Sequence, residues 1–249
     1  MMVIKSTHET DYDYEIYPLN ETAIVINFGR EIDVSIHNKV KAFTSYLEQY
    51  PIMGLVEYIP SFTSVTLFYD PIKVVREGSI GQQNSSYDVM NSKIKDILKN
   101  LKGMYQTEKR EIEIPVCYGG EFGPDLDFVA KHNNLTTEEV IQIHSEGEYL
   151  VYMIGFAPGF PYLGGMSDRI ATPRKANPRM KIPQGSVGIA GKQTGVYSIE
   201  TPGGWQLIGR TPLELFLPSN NPPSLLESGD IIRFKPISHK EYRDYKGGA

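Results

Sequence analysis

Apolar residues along this chain recur with two different periods, and the change from one to the other falls near its middle. Residues 22–28 (TAIVINF) form an almost unbroken apolar run of strand length and predict a buried strand. Asp33 stands where it can cap a helix. In that helix Ile36, Val40, Phe43, Leu47 and Tyr50 recur at i, i+4, i+7, i+11 and i+14, one stripe turned toward a core. Pro51 ends it, because proline lacks the N–H a helix needs. Two β-rich runs follow, 53–59 and 63–69, joined by Pro60-Ser61-Phe62 at hairpin length. A polar loop is expected over 78–87, then a second amphipathic helix carrying Met90, Ile94, Ile97, Leu98 and Leu101, then a strand over 111–116. The order β-α-β-β-α-β predicts a ferredoxin-like α/β sandwich over residues 1–105, its last strand passing the chain into a second domain, 106–249.

The second half has another texture. Two short helices are expected near 125–133 and 137–146, the latter opened by a Thr136–Glu139 capping box. From Tyr149 onward, short apolar runs at 149–154, 186–190, 196–199, 205–209, 213–217 and 230–234 are separated by Gly, Pro, Asn and Asp. Short strands with turn residues between them predict an all-β barrel or sandwich, and the whole chain reads as α+β. The tail, 238–249, is polar and reads as frayed.

Composition narrows the partners. The 249 residues are 40% hydrophobic and 22% charged, ordinary for a protein with a real core. A net charge of −5 argues against nucleic acid or an anionic membrane as partner. The single cysteine, Cys117, leaves no internal disulfide and suits a reducing compartment. With no apolar signal segment and no run near the ~20 residues that span a bilayer, a cytoplasmic location is expected.

Several motifs fail on inspection. Gly188 to Gln193 resembles a phosphate loop, but Ser186 stands where the first glycine belongs and Gln193 where Ser or Thr must follow the lysine. Met180-Lys181 lacks the surroundings of a biotinylated lysine. The histidines at 8, 37, 132, 144 and 239 have no metal-ligand spacing, and no metal is expected. Cys117 has no base placed near it in sequence, so a nucleophile role is disfavoured. What survives is 149–213, where glycines and prolines stiffen loops and Arg174, Lys175, Arg179, Lys181, Lys192 and Arg210 gather positive charge in an acidic chain. Cations beside rigid loops with free N–H groups suit a carboxylate or phosphate, though barrel corners with solvated charges would read the same way.

Four separated stretches, EIPVCYGGEFGPDL (113–126), HSEGEYLVYMIGFAPGFPYL (144–163), PRMKIPQGSVGIAGKQTGVYSIETPGGWQLIGRTPLELF (178–216) and the GDIIRF ending, together resemble the 5-oxoprolinase B-subunit family. That family is also called KipI or allophanate hydrolase subunit 1. The resemblance implies a cyclophilin-like β-barrel for residues 106–249. It also implies a homologous partner, the 5-oxoprolinase C-subunit, together with an A-subunit. The reaction it implies is ATP-dependent opening of 5-oxo-L-proline to L-glutamate, with ATP and Mg in the complex. On this reading Arg174, Lys181 and Arg210 are catalytic candidates holding developing negative charge. Lys192 joins them as an anion holder, Gly203 and Gly204 offer backbone donors or close approach, and Gln184 and Gln206 offer amide hydrogen bonds. Trp205, Phe156, Phe160, Tyr152 and Tyr162 are candidate pocket walls or core. His144 is the acid/base candidate, titrating near neutrality; its i+4 spacing from Val140 on a helix's inner face equally suits a structural histidine. Two other functions stay open. One is a KipI-type inhibitor that binds a sensor histidine kinase; the other is a carboxyltransferase component of urea or allophanate metabolism.

Overall fold

The computed structural model describes residues 14–78, 85–101 and 110–247. The chain divides into two compact units, Met1–Thr107 and Glu108–Ala249.

The first unit begins with β1 (Glu15–Asn20), a strand the apolar pattern did not announce because Pro18 interrupts it. Proline is tolerated there because β1 is an edge strand, with one row of N–H groups unpaired in any case. Asn20 Oδ1 accepts from the Thr22 N–H at 2.9 Å and turns the chain into β2 (Ala23–Asn27). Helix α1 (Val34–Gln49) starts as expected, with the Asp33 carboxylate accepting from the Ser35 N–H at 2.7 Å. Val40, Phe43 and Leu47 are buried. Tyr50 is exposed, because it sits at the C-cap, one residue past the last helical turn. His37 is buried on the same helix, and desolvation, with Lys41 nearby, pulls its pKa down to about 4.

The hairpin of β3 (Leu55–Pro60) and β4 (Ser64–Tyr69) forms where the two β-rich runs stand. Helix α2 (Pro71–Gly78) is an addition, too short to show a stripe in sequence; the Asp70 carboxylate accepts from the N–H groups of Ile72 and Lys73. Most of the expected polar loop, residues 79–84, lies outside the described residues. Helix α3 (Ser86–Leu101) buries the five apolar residues its pattern names. The sheet is antiparallel throughout, in the order β1-β2-β4-β3, with α1 and α3 packed on one face. The element order is therefore β-β-α-β-β-α-α and not β-α-β-β-α-β. The strand expected to close the sandwich belongs to the second unit, and the edge beside β2 is taken by β1.

That strand is β5 (Glu111–Tyr118). It is followed by α4 (Leu126–His132) and α5 (Thr137–Ser145), the latter with both halves of its capping box made, at 3.2 and 2.7 Å. The remaining strands are β6 (Tyr149–Ile154), β7 (Pro161–Gly164), β8 (Arg179–Ile182), β9 (Ser186–Ala190), β10 (Gln193–Val196), β11 (Thr201–Gly203), β12 (Gln206–Arg210) and β13 (Ile231–Pro236). Six of them form one sheet with β5, in the order β10-β9-β12-β5-β13-β6-β7, and its edge strands β10 and β7 return to contact, giving a nearly closed barrel. Ile114, Val116, Val151, Val187, Ile189, Ile208 and Ile232 fill its core, and α4 and α5 pack on it. A separate ribbon, β11 with β8, stands beside a smaller apolar cluster of Phe160, Ile182, Tyr197 and Leu207.

Three expectations fail here. The run at 196–199 lies almost wholly past β10, which ends at Val196. The run at 213–217 makes only an isolated bridge, Phe216 to Ser224. The tail is a helix over most of its length, α6 (His239–Gly247), anchored by Tyr242, which is buried and packs on Phe122 with ring centroids 4.3 Å apart. No helix among the described residues is long and apolar enough to cross a membrane.

Candidate functional site

The second unit contains a cavity of about 350 Å³, walled by Phe156, Phe160, Tyr162, Tyr197 and Trp205 and edged by Arg174, Pro178, Gln193, Pro202, Gly203 and Gly204. Its shape comes from where side chains are missing. Gly188 and Gly195 face each other across the β9–β10 ladder. A Cβ at Gly195 would lie 3.1 Å from the Trp205 ring and 3.2 Å from Phe160, and one at Gly188 would lie 3.1 Å from Trp205 Cβ. This glycine pair is thus the seat on which the indole lies. At Gly203 a Cβ would meet the Tyr197 hydroxyl at 2.4 Å, so the bare backbone of β11 is what admits that hydroxyl.

Phe160 is the hub of the aromatic wall. It meets Trp205, Tyr197, Tyr162 and Phe156 edge-to-face, with centroids 5.4–5.9 Å apart. Phe156 stands at the lip, 68% exposed, on a backbone with φ of +66°, a region a bulky side chain enters only at a cost. Burial raises the Tyr197 pKa, and the nearby Trp205 backbone N–H and the positive charges of Arg174 and Arg179 partly oppose that.

Beside the cavity lies a charge cluster built on Asp125, 5% exposed at the start of α4. Its carboxylate accepts from Lys175 Nζ at 3.0 Å, Arg179 Nη2 at 2.9 Å and the Leu207 N–H at 2.7 Å. Arg179 Nη1 sits 2.8 Å from Oδ2, an ion-pair contact whose N–H points off the axis of a hydrogen bond. Burial pushes the Asp125 pKa up, and these donors more than reverse it, leaving the carboxyl below its usual range. Asp125 thereby ties the 174–179 segment to β12. Lys175 N–H donates to Gly204 O at 2.7 Å and Gln206 Nε2 to Pro173 O at 2.9 Å, so the backbone is clamped on both sides of Arg174. The Arg174 side chain itself has no hydrogen bond or ion pair to any described residue.

The sequence candidates separate sharply. Arg174, Gly203, Gly204 and Trp205 line the cavity, with Phe156, Phe160 and Tyr162. The others are placed elsewhere. Lys181 pairs with Glu200 at 3.1 Å and Lys192 with Asp168 at 2.7 Å, both pairs well exposed. Arg210 donates to the Gln184 backbone carbonyl at 2.8 Å at the far end of β12, and the Gln184 side chain does not line the cavity. Gln206 is buried behind the wall as a brace on Pro173, its Oε1 unpartnered. Tyr152 is buried against β7, where a Cβ at Gly164 would meet its ring.

His144 is the clearest correction. It is fully buried in the barrel core, its ring 4.5 Å from that of Phe234. Thr194 Oγ1 donates to Gly188 O at 3.1 Å, so it accepts from His144 Nε2 at 2.9 Å; Nδ1 then accepts from the Tyr118 hydroxyl at 2.8 Å. Both ring nitrogens are satisfied, and desolvation lowers the pKa to about 3. His144 is a neutral structural residue that cannot reach a substrate. Cys117 is likewise buried, its thiol pKa raised first by burial and then by Glu121. Among the described residues no cluster of His, Cys, Asp or Glu could hold a metal ion.

Sequence reading missed Asp125, Gln193 and Tyr197. Asp125 stands inside one of the family-like stretches, but its partners are 50 and 54 residues away and only the fold joins them.

Comparison with known proteins agrees with this architecture. The family described as "Carboxyltransferase domain, subdomain C and D" matches residues 14–226. A Bacillus subtilis protein named as the B-subunit of 5-oxoprolinase is 54% identical over 94% of this chain and 97% of its own length. The Escherichia coli O157:H7 protein of the same name is 39% identical, over 88% of this chain and 94% of its own length. A Pyrococcus horikoshii crystal structure, of the conserved uncharacterized protein PH0987, is 46% identical and covers 92% of this chain and 100% of its own, with a TM-score of 0.53. With long matches on both counts, the chain belongs to the carboxyltransferase subdomain C and D family, in the branch of the 5-oxoprolinase B-subunits.

Proposed function

We propose that this chain is the B-subunit of an ATP-dependent 5-oxoprolinase and acts with the A- and C-subunits to open 5-oxo-L-proline to L-glutamate. The observation that carries this reading is 54% identity to a protein so named, across nearly the full length of both chains. In the reaction, water is added across the ring C–N bond of the lactam, freeing the amine and a second carboxylate. Hydrolysis of ATP to ADP and phosphate drives it, since an unstrained amide is a poor electrophile at neutral pH.

The residues at the cavity do not fit a triphosphate. Arg174 is the only cation among the described lining residues, and Lys181, Lys192 and Arg210 are engaged away from it. The segment from Gly188 to Gln193 spans the β9–β10 hairpin, with backbone groups largely committed to the ladder. On this reading ATP, with its Mg, binds in the assembled complex, as the lack of further lining cations here favours. The cyclophilin-like description suits the nearly closed barrel.

The test is reconstitution. The chain is expressed alone and with the A- and C-subunits, and phosphate release and glutamate formation are measured with 5-oxoproline and ATP. Activity only in the complete mixture supports the proposal. An inert complete mixture, with the lone chain blocking histidine-kinase autophosphorylation, replaces it by the kinase-inhibitor function. Turnover of urea by the mixture in place of 5-oxoproline replaces it by the carboxyltransferase function.

A further inference from the structure

The cavity does not need a partner chain to be recognisable as a ligand site. Its volume, about 350 Å³, lies at the low end of the roughly 300–1,000 Å³ typical of small-molecule sites. Its walls are aromatic, which suits a flat ring and, in principle, also a cation. The sign of the charge decides between them. Among the described residues no Asp or Glu lines the cavity, whereas Arg174 stands at its edge. A cationic ligand would meet a like charge with no lining carboxylate to offset it, and an anionic one would meet a guanidinium that has no competing partner among the described residues.

Arg174 is also held in a way that ordinary surface arginines are not. The segments on either side of it are fixed by Gln206 to Pro173 and by Lys175 to both Gly204 and Asp125. Only its head is uncommitted, so little backbone ordering remains to be lost when an anion binds. Two further polar groups face the cavity. Tyr197 brings a phenol hydroxyl, which can donate or accept, and Gln193 offers a primary amide.

From this arrangement we propose that the cavity binds a small flat ring bearing one carboxylate and one ring amide, the lactam acid class to which 5-oxoproline belongs. Arg174 takes the carboxylate in a two-pronged contact. Trp205 and Phe160 hold the ring, and Tyr197 and Gln193 serve the amide. The assignment rests on the 5-oxoprolinase reading for its choice of substrate and on the cavity for its choice of site.

Trp205 is the only tryptophan in the chain, so its fluorescence reports this cavity alone. The full chain is titrated with 5-oxo-L-proline and with 2-pyrrolidinone, which lacks the carboxylate. Arg174→Gln is titrated in parallel, with its melting temperature checked against the parent's. The expected result is a saturable change with 5-oxoproline that weakens about tenfold or more in the variant, as loss of a charge-assisted pair implies, while 2-pyrrolidinone binds both proteins alike. No saturable response, or equal affinity of parent and variant for 5-oxoproline, overturns the proposal. Steady-state kinetics of the reconstituted complex separate the two ideas. A raised KM for 5-oxoproline in Arg174→Gln supports the site, and an unchanged KM overturns it while the 5-oxoprolinase reading stands. A parent complex that opens no 5-oxoproline overturns the 5-oxoprolinase reading, and the titration still decides what the cavity holds.

Discussion

Replacing Asp125 by Asn tests the electrostatic frame of the site. The side chain keeps its shape but loses its charge, and three donors lose a carboxylate. The new amide would present one oxygen to the Leu207 N–H, Lys175 Nζ and the Arg179 guanidinium, and its nitrogen to whichever remains. Breaking a buried pair by removing one partner costs about 3–5 kcal/mol. Lys175 and Arg179 are a quarter or more exposed and can turn toward water, so the lower end, about 3 kcal/mol, applies. For a unit of this size each kcal/mol shifts the melting temperature by about 3–4 °C, giving a fall of about 10 °C. Differential scanning calorimetry of parent and Asp125→Asn would read it as a downshift of the second unit's transition. The 174–179 segment would loosen as well, so the Trp205 fluorescence response to a carboxylate ligand should weaken. A shift under about 2 °C would refute the reasoning, because the cluster would then be worth no more than a surface pair.

Stability should fall as pH drops below neutrality. The unfolded chain takes up protons on His144 and His37 near pH 6.5, while the folded chain refuses them until about pH 3 and pH 4 respectively. For His144 the loss between pH 7 and pH 5 is about 2 kcal/mol, measurable by urea unfolding, and His144→Gln should flatten that slope. Lys181→Ala and Lys192→Ala remove exposed ion pairs and should change stability by less than about 0.5 kcal/mol and leave the activity of the complex intact; a loss of turnover would return either lysine to the site. Cys117 should resist thiol reagents in the native protein and react once urea unfolds it. Rapid native labelling would contradict its buried position.

Local chemistry in the sequence was legible wherever one element decides its own shape. The caps at Asp33 and Thr136 and the apolar faces of α1 and α3 need only neighbours a few residues away. The glycines at 203 and 204 and Trp205 pointed to the cavity because backbone bareness is itself a local signal. Charge was not legible in the same way. Lys181 is turned to Glu200 across the β8–β11 ribbon and Lys192 to Asp168, and both partners are set by tertiary placement that no spacing reveals. The His144 position followed the same logic: a helix stripe shows that it faces inward, but only the fold shows that Tyr118 and Thr194 wait there for both nitrogens. β1 was hidden by Pro18, and α6 by a polar composition in which Tyr242 supplies the buried anchor.

The pairing of β5 has a consequence for how the second unit can be made. β5 comes first in that unit, yet it lies near the middle of the sheet, and its parallel neighbour β13 is paired from Glu111 to Ile231, across almost the whole unit. A chain emerging from the ribosome must therefore carry this strand with one side open until its last strand is released, an interval during which that edge can recruit another molecule. High contact order of this kind makes folding slow and all-or-none. A product cut short before residue 231 should consequently fail as a whole and aggregate, with no partially competent barrel left behind.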